Sequence, residues 1–210
     1  EEKNYLLNFI NNYFSFNLKK ESIISSFSGV RPLYNKNKQY NENMSSITRD
    51  YVINLEYLDH LPFLTIYGGK LTTFRKLSEN VLIKLKGFFP KMGHDWTMKK
   101  PLPGGDFLIK DKKEIINKLY KSYPFLGQNC AKRLINYYGT LSFKILENVK
   151  SKKDLGINFG HSLSEIEVKW LLMNEFANSA DDILWRRTKL GLKFNETERN
   201  KLKKWIEAKI

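Results

Sequence analysis

The segment Tyr67-Gly68-Gly69-Lys70-Leu71-Thr72-Thr73-Phe74-Arg75 passes from a strand-like run through paired glycines straight into a helical pattern. It requires a strand–turn–helix unit in any fold the chain adopts. Glycine has no Cβ, so the pair can take backbone conformations that other residues rarely enter. The first N–H groups of the following helix lack intrahelical partners and carry the positive end of its dipole. With Lys70 at that end, the segment has the chemistry of an anion site.

Around this unit the pattern predicts an α+β chain. Tyr5, Leu6, Phe9, Ile10, Tyr13 and Phe14 recur at helical spacing and predict an amphipathic helix. Ile23 to Leu33 reads as a strand broken at Ser28-Gly29, Asn35 to Ser46 as a polar loop, and Ile47 to Leu55 and Phe63 to Tyr67 as further strands. After Gly69, the residues Leu71, Phe74, Leu77, Val81, Leu82 and Leu85 form one helical face, with an end expected near Gly87. Pro101-Leu102-Pro103-Gly104-Gly105 breaks the pattern and sets the expected boundary between residues 1–100 and a helical domain over 101–210. Four pairs beyond it, Asp111 with Glu114, Ser164 with Glu167, Ser179 with Asp182 and Asn195 with Glu198, have capping-box spacing. Gly139 and Gly191 stand where helix C-caps are expected.

With 36 Lys+Arg against 22 Asp+Glu, the net charge is +14, and the chain should be drawn to polyanions or anionic surfaces. Nucleic acid, anionic lipid and phosphorylated metabolites all satisfy that bias. The basic-aromatic runs Lys118 to Tyr123 and Arg133 to Tyr138 could serve stacking and phosphate contact, but their helical spacing favours core aromatics. Cys130 is the one cysteine, which excludes an internal disulfide and reads as a buried small hydrophobe. His60, His94 and His161 have no partner at metal-ligand spacing, so no metal site is assigned. No apolar run approaches the roughly 18 residues of a membrane span. The opening Glu1-Glu2-Lys3 reads as the start of a piece whose targeting information lies elsewhere.

Three cations of the first half stand at expected strand edges or turns: Arg31 between Gly29-Val30 and Pro32, Arg49 in Ile47-Thr48-Arg49-Asp50-Tyr51, and Lys70. Two guanidinium groups and an ammonium suit a phosphorylated small molecule, although each alone reads as a surface charge. Asp50 either holds Arg49 or pairs with nothing. In Asp181-Asp182-Ile183-Leu184-Trp185-Arg186-Arg187 the spacing sets Asp182 against Arg186, a salt-bridged helix start rather than an acid–base pair. No two glycines are separated by a single residue, so a dinucleotide fingerprint of the G-x-G-x-x-G type is absent.

Ser26-Phe27-Ser28-Gly29-Val30-Arg31-Pro32-Leu33, Ile47 to Tyr51, and Gly68 to Leu77 closely resemble successive blocks of the FAD-dependent glycerol-3-phosphate dehydrogenases. Trp96-Thr97 with Leu102-Pro103-Gly104-Gly105, and Ala180 to Gly191, look like that family's later blocks. The resemblance covers nearly the whole chain but only the C-terminal portion of the family's enzyme. It implies a fragment of an FAD/substrate-binding domain followed by a small all-α C-terminal domain, inactive without the missing N-terminal part. The implied reaction is oxidation of sn-glycerol 3-phosphate to dihydroxyacetone phosphate, with electrons leaving through FAD to quinone. Arg31 and Arg49 would hold the substrate; Gly69, Lys70, Leu71 and Thr72 would lie against the flavin, and the catalytic base is unassigned. A bacterial-type enzyme is expected, peripheral on the cytoplasmic face of the membrane or in the cytoplasm, with a homodimer among the expectations and no nucleic acid. Another FAD-dependent amine or hydroxy-acid oxidase, a basic nucleic-acid-binding module and a structural helical module remain as alternatives.

Overall fold

The computed structural model describes residues 1–30, 34 and 50–209. They form an α+β chain of two compact units, Glu1–Ser26 together with Pro101–Ile210, and Phe27–Lys100.

In the Phe27–Lys100 unit, β1 (Val52–Leu58) and β2 (Leu61–Tyr67) pair antiparallel, with Val52 opposite Tyr67 and Leu58 opposite Leu61. Asp59 and His60 connect them with φ of 48° and 67°, the paired left-handed conformation that suits the twist of a two-residue hairpin. Beyond β2, a single 3-10 turn (Leu71–Thr73) runs into α2 (Phe74–Leu85). The expected strand over Ile23 to Leu33 is not formed at 23–30, which is mostly exposed irregular chain after a 3-10 turn at Lys20–Ser22; the rest of that stretch, 31–33, lies outside the described residues, as does the loop expected over Asn35 to Ser46. The apolar face read along α2 is likewise open in part, with Leu71, Phe74 and Leu82 exposed. The one buried residue among those described in this unit is a carboxylate, Glu79.

The other unit contains the apolar core. It comprises α1 (Glu2–Tyr13), α3 (Lys112–Ser122), α4 (Gln128–Tyr138), α5 (Leu141–Ile145), a short hairpin of β3 (Asn158–Gly160) and β4 (Leu163–Ser164), α6 (Glu165–Asn174), a π-helical turn (Asp182–Arg187) and α7 (Glu196–Glu207). Leu119, Ala131, Leu134, Phe159, Val168 and Leu202 are buried at its centre. Most apolar residues of α1 stay exposed, Tyr5, Leu6, Phe9 and Tyr13 among them, and Leu7 and Ile10 are half-buried.

Two of the four expected capping boxes close. Asn195 Oδ1 accepts from Glu198 N at 2.9 Å while Asn195 N donates to Glu198 Oε2 at 3.0 Å. Ser179 and Asp182 exchange the same pair of bonds at 3.1 and 3.0 Å. Asp111 and Ser164 precede their helices without a side-chain cap, and Glu167 turns inward instead. Gly139 is the expected C-cap of α4, but Gly191 is not one. It lies under Trp185, where a Cβ would stand 2.6 Å from the indole, and its carbonyl accepts from Arg199 at 2.7 Å.

Asp182 also accepts from Asn178 N at 3.0 Å and pairs with Arg186 at 3.0 Å; the Asn178 and Ser179 donors, with Arg186 beside them, hold its carboxyl below the usual range. A depressed folded value makes the contribution complete above the unfolded pKa near 4 and lost as pH falls through the folded value. Asp182→Ala is therefore expected to cost about 1 kcal/mol at pH 7 and less at pH 3. Urea titrations at the two pH values check it, and equal costs would show that the charge has no part.

The inward Glu167 anchors a buried polar network. Its carboxylate takes Arg133 Nη1 at 2.6 Å, Arg133 Nη2 at 2.7 Å and the Tyr138 hydroxyl at 2.8 Å. Arg133 completes its donors on Ser162, through Oγ at 3.1 Å and the carbonyl at 2.8 Å. Burial works against the Arg133 charge, yet the Glu167 bonds hold the guanidinium above its ordinary value. Burial, then the Glu167 charge, pushes the Tyr138 phenol up. Cys130 is buried beside them, as read from the sequence, and burial raises its thiol.

Candidate functional site

The hairpin register places the residues before β1 opposite those after β2. Because Val52 faces Tyr67, Asp50-Tyr51 comes alongside Gly68-Gly69. Gly68 and Gly69 have φ of 70° and 101°, and the second value is closed to side-chain-bearing residues. A Cβ at Gly69 would still have ordinary room, 3.5 Å from Tyr51 Cβ, so conformation rather than space demands glycine there.

Lys70 is extended (φ −118°, ψ 146°), and its backbone closes the 3-10 turn. Thr73 N and Thr73 Oγ1 both donate to the Lys70 carbonyl, at 3.0 and 2.9 Å. The first N–H groups of such a helix have no partner inside it, and Leu71 is 90% exposed, so this end is open to an incoming anion. Lys70 Nζ stands 3.7 Å from Asp50 Oδ1 with its side chain half exposed. Asp50 thus faces Lys70, a pairing the sequence reading missed. The strand register that joins Val52 to Tyr67 brings the two together, and no local spacing in the sequence announces it.

Two tethers fix α2 behind this turn. Tyr51 Oη accepts from Asn80 Nδ2 at 2.6 Å, and Glu79 takes the Thr97 hydroxyl at 2.6 Å. The Thr97 bond, reinforced by Arg75 and Lys76, holds the Glu79 carboxyl below its usual value. Of the sequence-derived site residues, Gly69, Lys70, Leu71 and Thr72 form one continuous turn, while Arg31 and Arg49 lie outside the described residues. Among the described residues no group of three or more His, Cys, Asp and Glu could hold a metal ion. No helix among them is long and apolar enough to cross a membrane.

An open helix start preceded by glycines of positive φ, with an ammonium beside it, can stabilise negative charge on an electron-accepting ring or a phosphate. The model of one domain family, the C-terminal domain of alpha-glycerophosphate oxidase, matches residues 96–208. Similar curated proteins include a D-erythritol 1-phosphate dehydrogenase of Brucella abortus, 39% identical over 99% of this chain and 41% of its own length. An aerobic glycerol-3-phosphate dehydrogenase of Escherichia coli is 38% identical over 98% of this chain and 40% of its own length. A glycerol-3-phosphate dehydrogenase of Pseudomonas aeruginosa is 38% identical over 99% and 40%. The chain therefore spans about two fifths of the length of these relatives.

Proposed function

The chain belongs to the family that carries the C-terminal domain of alpha-glycerophosphate oxidase, and from that premise we propose that it is the C-terminal portion of an FAD-dependent dehydrogenase of sn-glycerol 3-phosphate. The observation that supports this most is the turn itself: glycines of positive φ opening a helix start, with Lys70 beside it. When bound, FAD supplies the two-electron oxidation that turns the C2 hydroxyl into the ketone of dihydroxyacetone phosphate. Gly69, Lys70, Leu71 and Thr72 would hold its ring. The turn's N–H groups and the Lys70 ammonium offset negative charge there. Asp50 keeps the ammonium from folding away, at the cost of part of its field. Arg31 and Arg49 are assigned the phosphate, because a planar guanidinium grips two of its oxygens at once. Electrons leave to quinone, and the +14 charge favours peripheral attachment at the anionic cytoplasmic face of a bacterial membrane. The remaining FAD and substrate contacts come from an upstream part of the protein.

A second reading, oxidation of a longer polyol phosphate, is favoured by the erythritol-phosphate relative. Purified full-length protein, titrated anaerobically, decides between them. The flavin absorbance is expected to bleach with sn-glycerol 3-phosphate; bleaching by D-erythritol 1-phosphate alone moves the substrate, and protein purified without flavin sinks both readings. In the same enzyme Lys70→Met is expected to slow flavin reduction at least about tenfold in stopped flow. Unchanged reduction would remove Lys70 from the charge-stabilising role.

A further inference from the structure

Glu79 stands out in the Phe27–Lys100 unit because everything else described there keeps some exposure while this carboxylate is buried, its side chain 7% exposed. A mid-helix glutamate is ordinarily solvated, and a buried one is costly unless fully paired. Here it is paired. Thr97 Oγ1 donates to Oε1 at 2.6 Å, Arg75 Nη1 bonds the same oxygen, and Lys76 Nζ lies 3.5 Å from Oε2. Arg75 Nη1 also donates to Thr97 Oγ1 at 3.4 Å, so the three side chains close a triangle in which the hydroxyl both gives and accepts.

The triangle joins two sequence blocks that otherwise have no shared purpose. Arg75 is the second residue of α2, five beyond Lys70, and Thr97 opens a separate 3-10 turn, Thr97–Lys99. Asn80, the residue after Glu79, reaches to Tyr51 at the foot of β1. Adjacent residues thus tether α2 both to the hairpin and to the Thr97 turn. With no buried apolar side chain among the described residues of the unit, these directional contacts hold the helix in place.

We propose that Thr97 and Glu79 are positioning residues that clamp α2 so that the Gly68–Thr73 turn is held in shape for the cofactor. This rests on the flavoenzyme reading for the identity of the cofactor, and on geometry alone for the clamp. The test uses the full-length enzyme with Thr97→Val, which keeps the side-chain volume and removes the hydroxyl, and Thr97→Ser, which restores it. Hydrogen exchange of the amides at 70–76 is expected to accelerate about tenfold in the valine variant and return toward wild type with serine, the loss of one hydrogen bond to a charged group being of that order. The dissociation constant for FAD is expected to rise in step.

Unchanged exchange at 70–76, or a change confined to 95–99, overturns the clamp. Faster exchange with unaltered FAD affinity overturns the positioning role and leaves a merely structural contact. A wild-type enzyme that binds no flavin sinks the flavoenzyme reading instead, and the exchange result still decides the clamp.

Discussion

Gly139→Ala is expected to destabilise the helical unit by about 3 kcal/mol or more, because two separate penalties fall on one residue. Gly139 has φ 55° and ψ −133°, a region that residues with a Cβ avoid. Its Cβ would also stand 1.8 Å from the carbonyl oxygen of Gly104, and a Cβ on Gly104 would stand 2.3 Å from the carbonyl oxygen of Tyr138. The two backbones touch, and Thr140 N donates to the Gly104 carbonyl at 3.1 Å to seal the contact. Neither neighbour is a flexible side-chain tip that could swing aside. Urea denaturation followed by far-UV circular dichroism measures the loss, and a loss under about 1 kcal/mol would show that the Gly104 segment yields freely.

Glu167→Ala is expected to cost about 3–5 kcal/mol, the range for removing one partner of a buried ion pair. Arg133 would keep a buried charge, its side chain 14% exposed, and the Tyr138 hydroxyl would lose its acceptor. The stability arises from completeness rather than from charge as such. Arg133→Met, Tyr138→Phe and Glu167→Leu together should therefore recover most of what Glu167→Ala loses. A triple variant as unstable as the single one would mean that the network supplies attraction that apolar packing cannot replace.

These two features were legible to different degrees. The glycine at 139 was visible as a helix stop, since its type and spacing are local properties; its contact with Gly104 was not, because nothing in the sequence pairs residues that far apart. Glu167 was read as a capping partner of Ser164 from a spacing of three, and its actual partner lies on α4, in Arg133. Local rules cannot weigh a distant guanidinium against a nearby N–H. The helix α1, the strand ending at Tyr67, and α2 followed from periodicity, whereas β1 runs past its expected end at Leu55 to Leu58, and the hairpin turn went unread because Asp59-His60 lacks the glycine that usually marks it. The Asp182–Arg186 pair was read correctly, although the extra residue per turn around it was not. At the site, the glycine turn was legible as a strand–turn–helix unit from residue type alone. Its company was not, because Asp50 and Thr97 reach it only through strand register and a fold-back of the chain.

The uneven burial of the two units has a calorimetric consequence. The heat-capacity increment of unfolding comes chiefly from apolar surface that folding hides, and among the described residues the buried apolar ones lie between Leu119 and Ile206. A scanning trace of the chain is therefore dominated by the helical unit, and its midpoint scarcely responds to what happens around Lys70. Variants of the turn that leave such a trace unmoved have not been shown to be innocuous; they have been examined with a thermometer placed in the other unit.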